Sequence, residues 1–158
     1  MPYTFDSDRM LDDTGWKILA ELQNNARVSL AELGRKVGLT SPAVADRVRR
    51  LEEAGIIIGY HAELSLEKIG LPILAYIRYT NTSQSYPDAD VFIRSFREVL
   101  ECYRVTGTDS YIIKIAAASM AHLAQIINRL SPFGSVVTSL ALSVVREHQT
   151  ITAPPEDG

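Results

Sequence analysis

Three arginines, Arg47, Arg49 and Arg50, crowd one stretch of this chain just after the small residues Ser41, Pro42 and Ala43, with Asp46 among them. A helix over residues 41–53 that turns Val44, Val48 and Leu51 inward leaves Ser41, Pro42, Ala43, Asp46, Arg47, Arg49 and Arg50 facing out. Small side chains at a helix N-terminus let its backbone approach base edges, while guanidinium groups contact phosphates or read a guanine with two parallel hydrogen bonds. Double-stranded DNA is the ligand this chemistry fits. A plain helical hairpin with a solvated basic face carries the same pattern and is the alternative.

Other chemistries find little footing. His61, His122 and His148 fall on separate elements, and the sequence has no HExxH, no cysteine pairs with zinc spacing and no glycine-rich phosphate loop. The expectation is a protein that is not an enzyme and needs no cofactor or metal. Cys102, the one cysteine, has no internal disulfide partner and alternates with Tyr103 along an expected strand, which predicts a buried small residue.

The elements that must position the arginines follow from local signals. Ser29 with Glu32 three residues on is a capping box that opens a first short helix, and Gly38 closes it because only glycine adopts positive φ cheaply. Thr40 or Ser41 caps the next helix, Pro42 sits in its first turn where a missing N–H costs nothing, and Gly55 stops it. Two helices across a short glycine-containing turn make a helix-turn-helix unit, whose second helix lies in the major groove. The third helix of its core comes earlier, from the stripe Leu11, Gly15, Ile18, Leu19 and Leu22, with Asp12 or Asp13 as cap and Trp16 at the edge.

Downstream the rhythm changes. Residues 56–64 are short and β-branched and read as a strand: a wing, a linker strand, or both. From residue 71 the order is strand (72–79), helix (87–99, with Ala89, Phe92, Ile93 and Phe96 inward), strand (100–106), strand (110–117), helix (capped by Ser119, with Leu123, Ile126, Ile127 and Leu130 inward) and strand (136–145). This βαββαβ order is the split βαβ of ferredoxin-like folds. Two helices cover one sheet face, and the other, partly apolar, calls for a partner, so the chain is expected to dimerise. The fold class is therefore α+β, divided into a tail (1–8), a helix-turn-helix domain (9–55), a linker strand (56–70), a βαββαβ domain (71–146) and a mobile tail (147–158).

Composition agrees. The chain has 158 residues, a formal net charge of −3 and a 46% hydrophobic share, which supports a real core and argues against indiscriminate coating of nucleic acid. Between residues 35 and 50 Arg35, Lys36, Arg47, Arg49 and Arg50 stand against Asp46 alone. The N-terminus has no apolar signal core and no run is long enough to span a bilayer, so no membrane is expected and the cytoplasm is the default location.

Taken together, residues 11–145 resemble the Lrp/AsnC (feast/famine) transcriptional regulators of bacteria and archaea. The sharpest matches are Leu11-Asp12 with Ile18-Leu19, Val37-Gly38-Leu39, Arg47-Val48-Arg49-Arg50-Leu51-Glu52, Gly55-Ile56-Ile57 before Gly59-Tyr60, and Glu101-Cys102 followed by Val105-Thr106-Gly107 and Tyr111. The resemblance implies a DNA-binding helix-turn-helix joined to a βαββαβ effector domain, homodimers that assemble into octamers, and an amino-acid effector held between dimers. Two positions depart from the family: Gly15 stands where a second Asp is frequent, and the effector turn reads Gly107-Thr108-Asp109-Ser110-Tyr111 where Gly-Asp-x-Asp-Tyr is frequent.

An amino-acid zwitterion needs N–H donors at its carboxylate and an acceptor at its ammonium. Gly107 permits close backbone approach, Thr108 and Ser110 offer hydroxyls, and Asp109 is the natural ammonium partner; Tyr103, Thr106 and Tyr111 flank the turn, and Thr138 and Ser139 on the last strand are further candidates. A simple hairpin turn, with Asp109 and Ser110 bonding their own backbone, is the alternative. The function expected is sequence-specific transcriptional regulation tuned by a small metabolite; an architectural DNA-wrapping protein without effector, or a ligand-binding accessory protein of metabolism, are the other readings.

Overall fold

The computed structural model describes residues 10–82, 89–146 and 148–154. Its first helix begins where a carboxylate can accept a free backbone N–H: Asp12 caps α1 (Asp13–Asn24), with Oδ1 accepting from Gly15 N at 2.7 Å. A Cβ on Gly15 would lie 1.9 Å from the Met10 carbonyl oxygen, so the chain entering α1 leaves no room there for a side chain.

Ser29 caps α2 (Leu30–Val37), its hydroxyl accepting from Glu32 N at 3.2 Å. The Glu32 carboxylate turns toward Lys36, 3.9 Å away. Gly38 ends the helix at φ 73°. Of the two candidate caps for α3 (Ser41–Glu53), Thr40 does the work, accepting from Ala43 N at 3.4 Å, and Ser41 opens the helix. Ile18, Leu19, Leu33, Val44 and Leu51 form the buried centre of the three helices, with Trp16, Leu22, Val37, Leu39 and Val48 packed around it, so the inward stripes read from spacing are the ones that meet.

The expected strand over residues 56–64 is not formed. Ile56 and Ile57 donate to the Leu51 carbonyl and close the end of α3, after which no strand is formed among the described residues through residue 64, and Ile58 is 92% exposed. β-branched residues favour an extended backbone, but a strand exists only where another strand offers its N–H and C=O groups.

The second unit, Glu63–Val145, holds a four-stranded antiparallel sheet ordered β2-β3-β1-β4, from β1 (Ile73–Asn81), β2 (Val99–Arg104), β3 (Tyr111–Ala117) and β4 (Gly134–Leu140). With α4 (Ala89–Arg94) and α5 (Met120–Leu130) this is the βαββαβ order. α4 is shorter than the periodicity suggested: it stops at Arg94, where the Ser95 hydroxyl donates back to the Phe92 carbonyl at 2.6 Å, and Pro87 lies outside the described residues. β4 ends at Leu140 instead of continuing to residue 145, close to where its partner β1 begins at Ile73. The Ala141 N–H still reaches Leu74 O, and Leu142 and Val145 stand 94% and 97% exposed.

The strand register decides which residues share a face. Ala75, Ile77, Tyr79, Ile113, Ile115 and Ala117 pack with Ala89, Ile93, Phe96, Leu123, Ile126 and Leu130 in one core. On the opposite face one residue from each strand forms a row, Tyr103, Ile112, Arg78 and Val137, and this face is not covered by the helices. Cys102, expected to be buried, is exposed on β2, an edge strand of the sheet.

Candidate nucleic-acid interface and effector turn

The recognition arginines have different partners. Arg47 does not join Arg49 and Arg50 on the outward face as the sequence suggested: its Nη1 and Nη2 donate to Oδ1 and Oδ2 of Asp12 at 2.7 and 2.9 Å, a fork-to-fork pair tying α3 to the cap of α1. The bond from Arg47, followed by that from the Gly15 N–H, holds the Asp12 carboxyl below its usual value. Asp12 was not foreseen as a site residue, although it was one of the two expected caps, Asp12 or Asp13.

Arg49 and Arg50 remain exposed and share Asp46. Arg49 reaches Asp46 Oδ1 at 2.5 Å and Glu53 Oε1 at 2.7 Å, and Arg50 reaches Asp46 Oδ2 at 2.7 Å. The outward face of α3 is thus basic but internally neutralised, with two guanidiniums sharing one carboxylate. Exposed ion pairs of this kind are weak, so a phosphate competes for the arginines at small cost. Pro42 and Ala43 are exposed at the helix N-terminus, as expected, with Ser41 half-buried beside them. Past the helix, Tyr60 donates its hydroxyl to Glu52 at 2.9 Å; burial and then the Glu52 carboxylate push its pKa up to about 12. Only a packed structure shows that this tyrosine ties the outgoing chain to α3.

The expected effector residues gather less completely. Thr106, Gly107, Thr108, Asp109 and Ser110 form one turn between β2 and β3, closed by Val105 N donating to Ser110 O at 3.1 Å and leaning on β1 through Ser110 N to Tyr79 O at 2.9 Å. Gly107 has φ 111°, a conformation that favours glycine. One hydroxyl of the turn is engaged by β1: Ser110 Oγ accepts from Asn81 N at 3.3 Å, while the Thr80 hydroxyl donates to the Thr108 carbonyl at 3.4 Å. Asp109 is half-buried, and the Arg78 guanidinium lies 3.7 Å from its Oδ2, a charge partner the sequence reading missed because Arg78 is on another strand.

The two tyrosines that flank the turn point to opposite faces. Tyr111 is a core residue, 5% exposed, whose hydroxyl donates to Asp90 at 2.7 Å and accepts from Arg104 at 3.1 Å. Tyr103 stands on the open face, donating to Glu101 at 3.1 Å, with Glu101 in turn 2.9 Å from Lys114. Thr138 and Ser139 pair with Ile77 and Tyr76, whereas the turn rests on Tyr79, Thr80 and Asn81, so one chain does not bring those two to it.

A capped helix-turn-helix on one unit and a sheet with a hydroxyl-lined, singly acidic turn on the other define a DNA-binding regulator with a ligand-binding domain. Comparison with known proteins gives the same division: residues 11–58 match the winged helix-turn-helix DNA-binding family, and residues 74–151 the Lrp/AsnC ligand binding domain. The chain is 36% identical over 135 residues to the HTH-type transcriptional regulator LrpC of Bacillus subtilis, covering 85% of this chain and 94% of that one. It is 38% identical over 120 residues to the proline dehydrogenase transcriptional activator of Rhodobacter capsulatus, covering 74% of this chain and 78% of the relative. Among solved structures, a feast or famine regulatory protein of Mycobacterium tuberculosis complexed with L-methionine superposes with a TM-score of 0.84 at 30% identity, covering 90% of this chain and 99% of that one. A transcriptional regulator of Neisseria meningitidis, also complexed with L-methionine, gives a TM-score of 0.82 at 30% identity, covering 89% and 96% of the two chains. The chain belongs to the Lrp/AsnC family of transcriptional regulators.

Proposed function

We propose that this regulator binds operator DNA through α3 as a dimer or a higher assembly, and that an amino acid held at the turn over residues 106–110 changes that assembly and its hold on DNA. The observation that carries the DNA reading is the exposed N-terminal end of α3, Pro42 and Ala43 with Ser41, on the same helix as the exposed Arg49 and Arg50. In this reading the small residues approach base edges, Arg49 and Arg50 exchange carboxylates for phosphates, and Arg47 with Asp12 holds the helix in place.

The effector half draws its support from the L-methionine complexes of two relatives and from Asp109, the one acid in the turn. A single reading head offers few contacts, and specific affinity normally takes two half-sites. The uncovered face with Tyr76, Tyr103, Ile112 and Val137, and the stretch after Gly55 with its exposed Ile58, supply surface for a second copy, and octamers follow by likeness to the family. The cytoplasm is the proposed location; no helix among the described residues is long and apolar enough to cross a membrane.

Selection of duplexes from a random library, followed by footprinting at moderate salt, tests the main reading. A short defined footprint supports it; binding that grows with DNA length and gives no footprint supports an architectural role, and absence of binding an accessory one. A thermal-shift screen of the twenty amino acids tests the effector half, because a ligand that binds only the folded state raises Tm by mass action.

A further inference from the structure

The C-terminal segment does not hang loose from the βαββαβ unit: Arg146–Gly158 falls with Met1–Ala62 in one unit. The reason lies at the end of α1. The Gln23 carboxamide faces the backbone of Ile151 and serves both of its groups, Nε2 donating to Ile151 O at 3.0 Å and Oε1 accepting from Ile151 N at 2.8 Å. This is the exchange a neighbouring strand would make. Nε2 also donates to Leu19 O at 3.2 Å, which fixes the side chain against its own helix, and Asn24 Oδ1 accepts the Thr150 hydroxyl at 3.2 Å. The approach to the contact is itself shaped. Arg146 donates to Gln149 Oε1 at 2.5 Å, and His148 between them holds φ 45°, a left-handed conformation that a residue with a Cβ rarely adopts without compensating contacts.

We infer that Gln23 and Asn24 form a docking site on the DNA-binding unit for the chain's own segment around Thr150–Ile151, and that this second attachment narrows the half-site spacing the assembled protein accepts. The site reads backbone, since the Ile151 side chain is 69% exposed while its N–H and C=O are both engaged. The other chain link between the DNA-binding helices and the sheet is the connection after residue 55, in which no strand is formed among the described residues through residue 64. One such tether lets a reading head sample a wide range, whereas a second, fixed at the end of α1, removes much of it. The spacing claim rests on the proposal that two heads grip two half-sites; the docking claim does not.

Two full-length variants separate these. Gln23→Ala removes the carboxamide from a mainly exposed helical position, and Ile151→Pro removes the N–H that it accepts. Amide exchange read at Ile151 should be protected in the wild type and fast in Gln23→Ala, with Ile151→Ala retaining protection. From a library of paired half-sites with variable spacers, the wild type should select a narrow band of spacings. Both docking-deficient variants, melting as the wild type does, should select the same half-site sequence over a clearly broader band. Fast exchange at Ile151 in the wild type overturns the docking site, and an unchanged spacer profile in both variants overturns its role. A wild type that selects no DNA overturns the regulator reading and with it the spacing role, leaving the exchange result to judge the docking site alone.

Discussion

Arg47 and Asp12, thirty-five residues apart, meet through two hydrogen bonds of 2.7 and 2.9 Å, so the residue that caps the first helix also orients the recognition helix. The two duties of Asp12 are separable. Asp12→Asn keeps an acceptor for the Gly15 N–H and loses the ion pair, which is half-exposed and worth under about 1 kcal/mol, whereas Asp12→Ala also loses the cap at a further cost of about 1 kcal/mol. Both Asp12→Asn and Arg47→Ala are expected to weaken operator binding with the slope of log affinity against log salt unchanged, because no phosphate contact is removed. A slope that falls in Arg47→Ala and not in Asp12→Asn would return Arg47 to the DNA-contact set. The pair also has a pH signature. The Asp12 carboxyl is lowered from its ordinary 3.8 in the folded state, so its contribution is present above that value and is lost as pH falls through the lower folded pKa. Urea midpoints of wild type and Asp12→Asn should converge below about pH 4.

Asp46 is the brake on the outward basic face. It is shared by Arg49 and Arg50, and the hydrogen bond from Arg49 leads the causes that hold its carboxyl below the usual range. Asp46→Asn keeps the helix, removes the charge that holds Arg50 and leaves Arg49 with Glu53 alone, so affinity for DNA of any sequence should rise and the salt dependence steepen. Arg50→Ala should do the reverse, flattening the slope by about 0.9 for one lost phosphate contact. Fluorescence anisotropy across a salt series reads both, and weaker binding by Asp46→Asn would place Asp46 at a base edge as an acceptor.

What could be read from the chain in advance follows from how far apart the interacting residues are. Caps at Asp12, Ser29, Thr40 and Ser119 depend on neighbours three residues away, and their positions were legible. The inward faces of α1 to α3 and the βαββαβ order are periodic signals and were legible too. The failures are long-range. Arg47 was assigned by rotation about α3, and spacing says nothing of a carboxylate on another helix. The strand expected after Gly55 came from β-branched composition and the overlong β4 from alternation, and both report a preference for extended backbone and not the presence of a partner. In the turn after β2 the sequence showed Asp109 and the hydroxyls, but Arg78 enters through strand register, and the same register buries Tyr111.

Tyr111 lies in the core of the sheet unit. Its hydroxyl bridges Asp90 and Arg104 while the ring packs beside Tyr79, centroids 6.1 Å apart. Tyr111→Phe keeps the packing and loses the bridge, which should lower Tm by about 2–4 °C. The thermal shift produced by a cognate amino acid should be unchanged. A lost shift with an intact fold would restore the tyrosine to the binding site.

Asp109 and Arg78 are the pair on which the proposed effector site turns. At 3.7 Å the two are attracted without a hydrogen bond, and the exposed guanidinium leaves the carboxylate able to take a new partner. A zwitterion presents an ammonium that suits Asp109 and a carboxylate that suits Arg78, with Ile112 and Val137 paired to Arg78 on the neighbouring strands as apolar surface for a side chain. An amine alone would have to displace Arg78 and gain nothing from it. Asp109→Ala is therefore expected to abolish the thermal shift given by the best amino acid of a screen, at a ligand concentration about a hundredfold above Kd where a binding-competent protein gains about 2.7 kcal/mol. Arg78→Ala should weaken binding of the acid while leaving that of its carboxamide nearly as in the wild type, which separates the loss of a carboxylate partner from a general fault in the turn. If Asp109→Ala keeps the full shift, the ammonium is read elsewhere, and Thr138 and Ser139, which one chain does not bring to the turn, become the groups to test from a neighbouring copy.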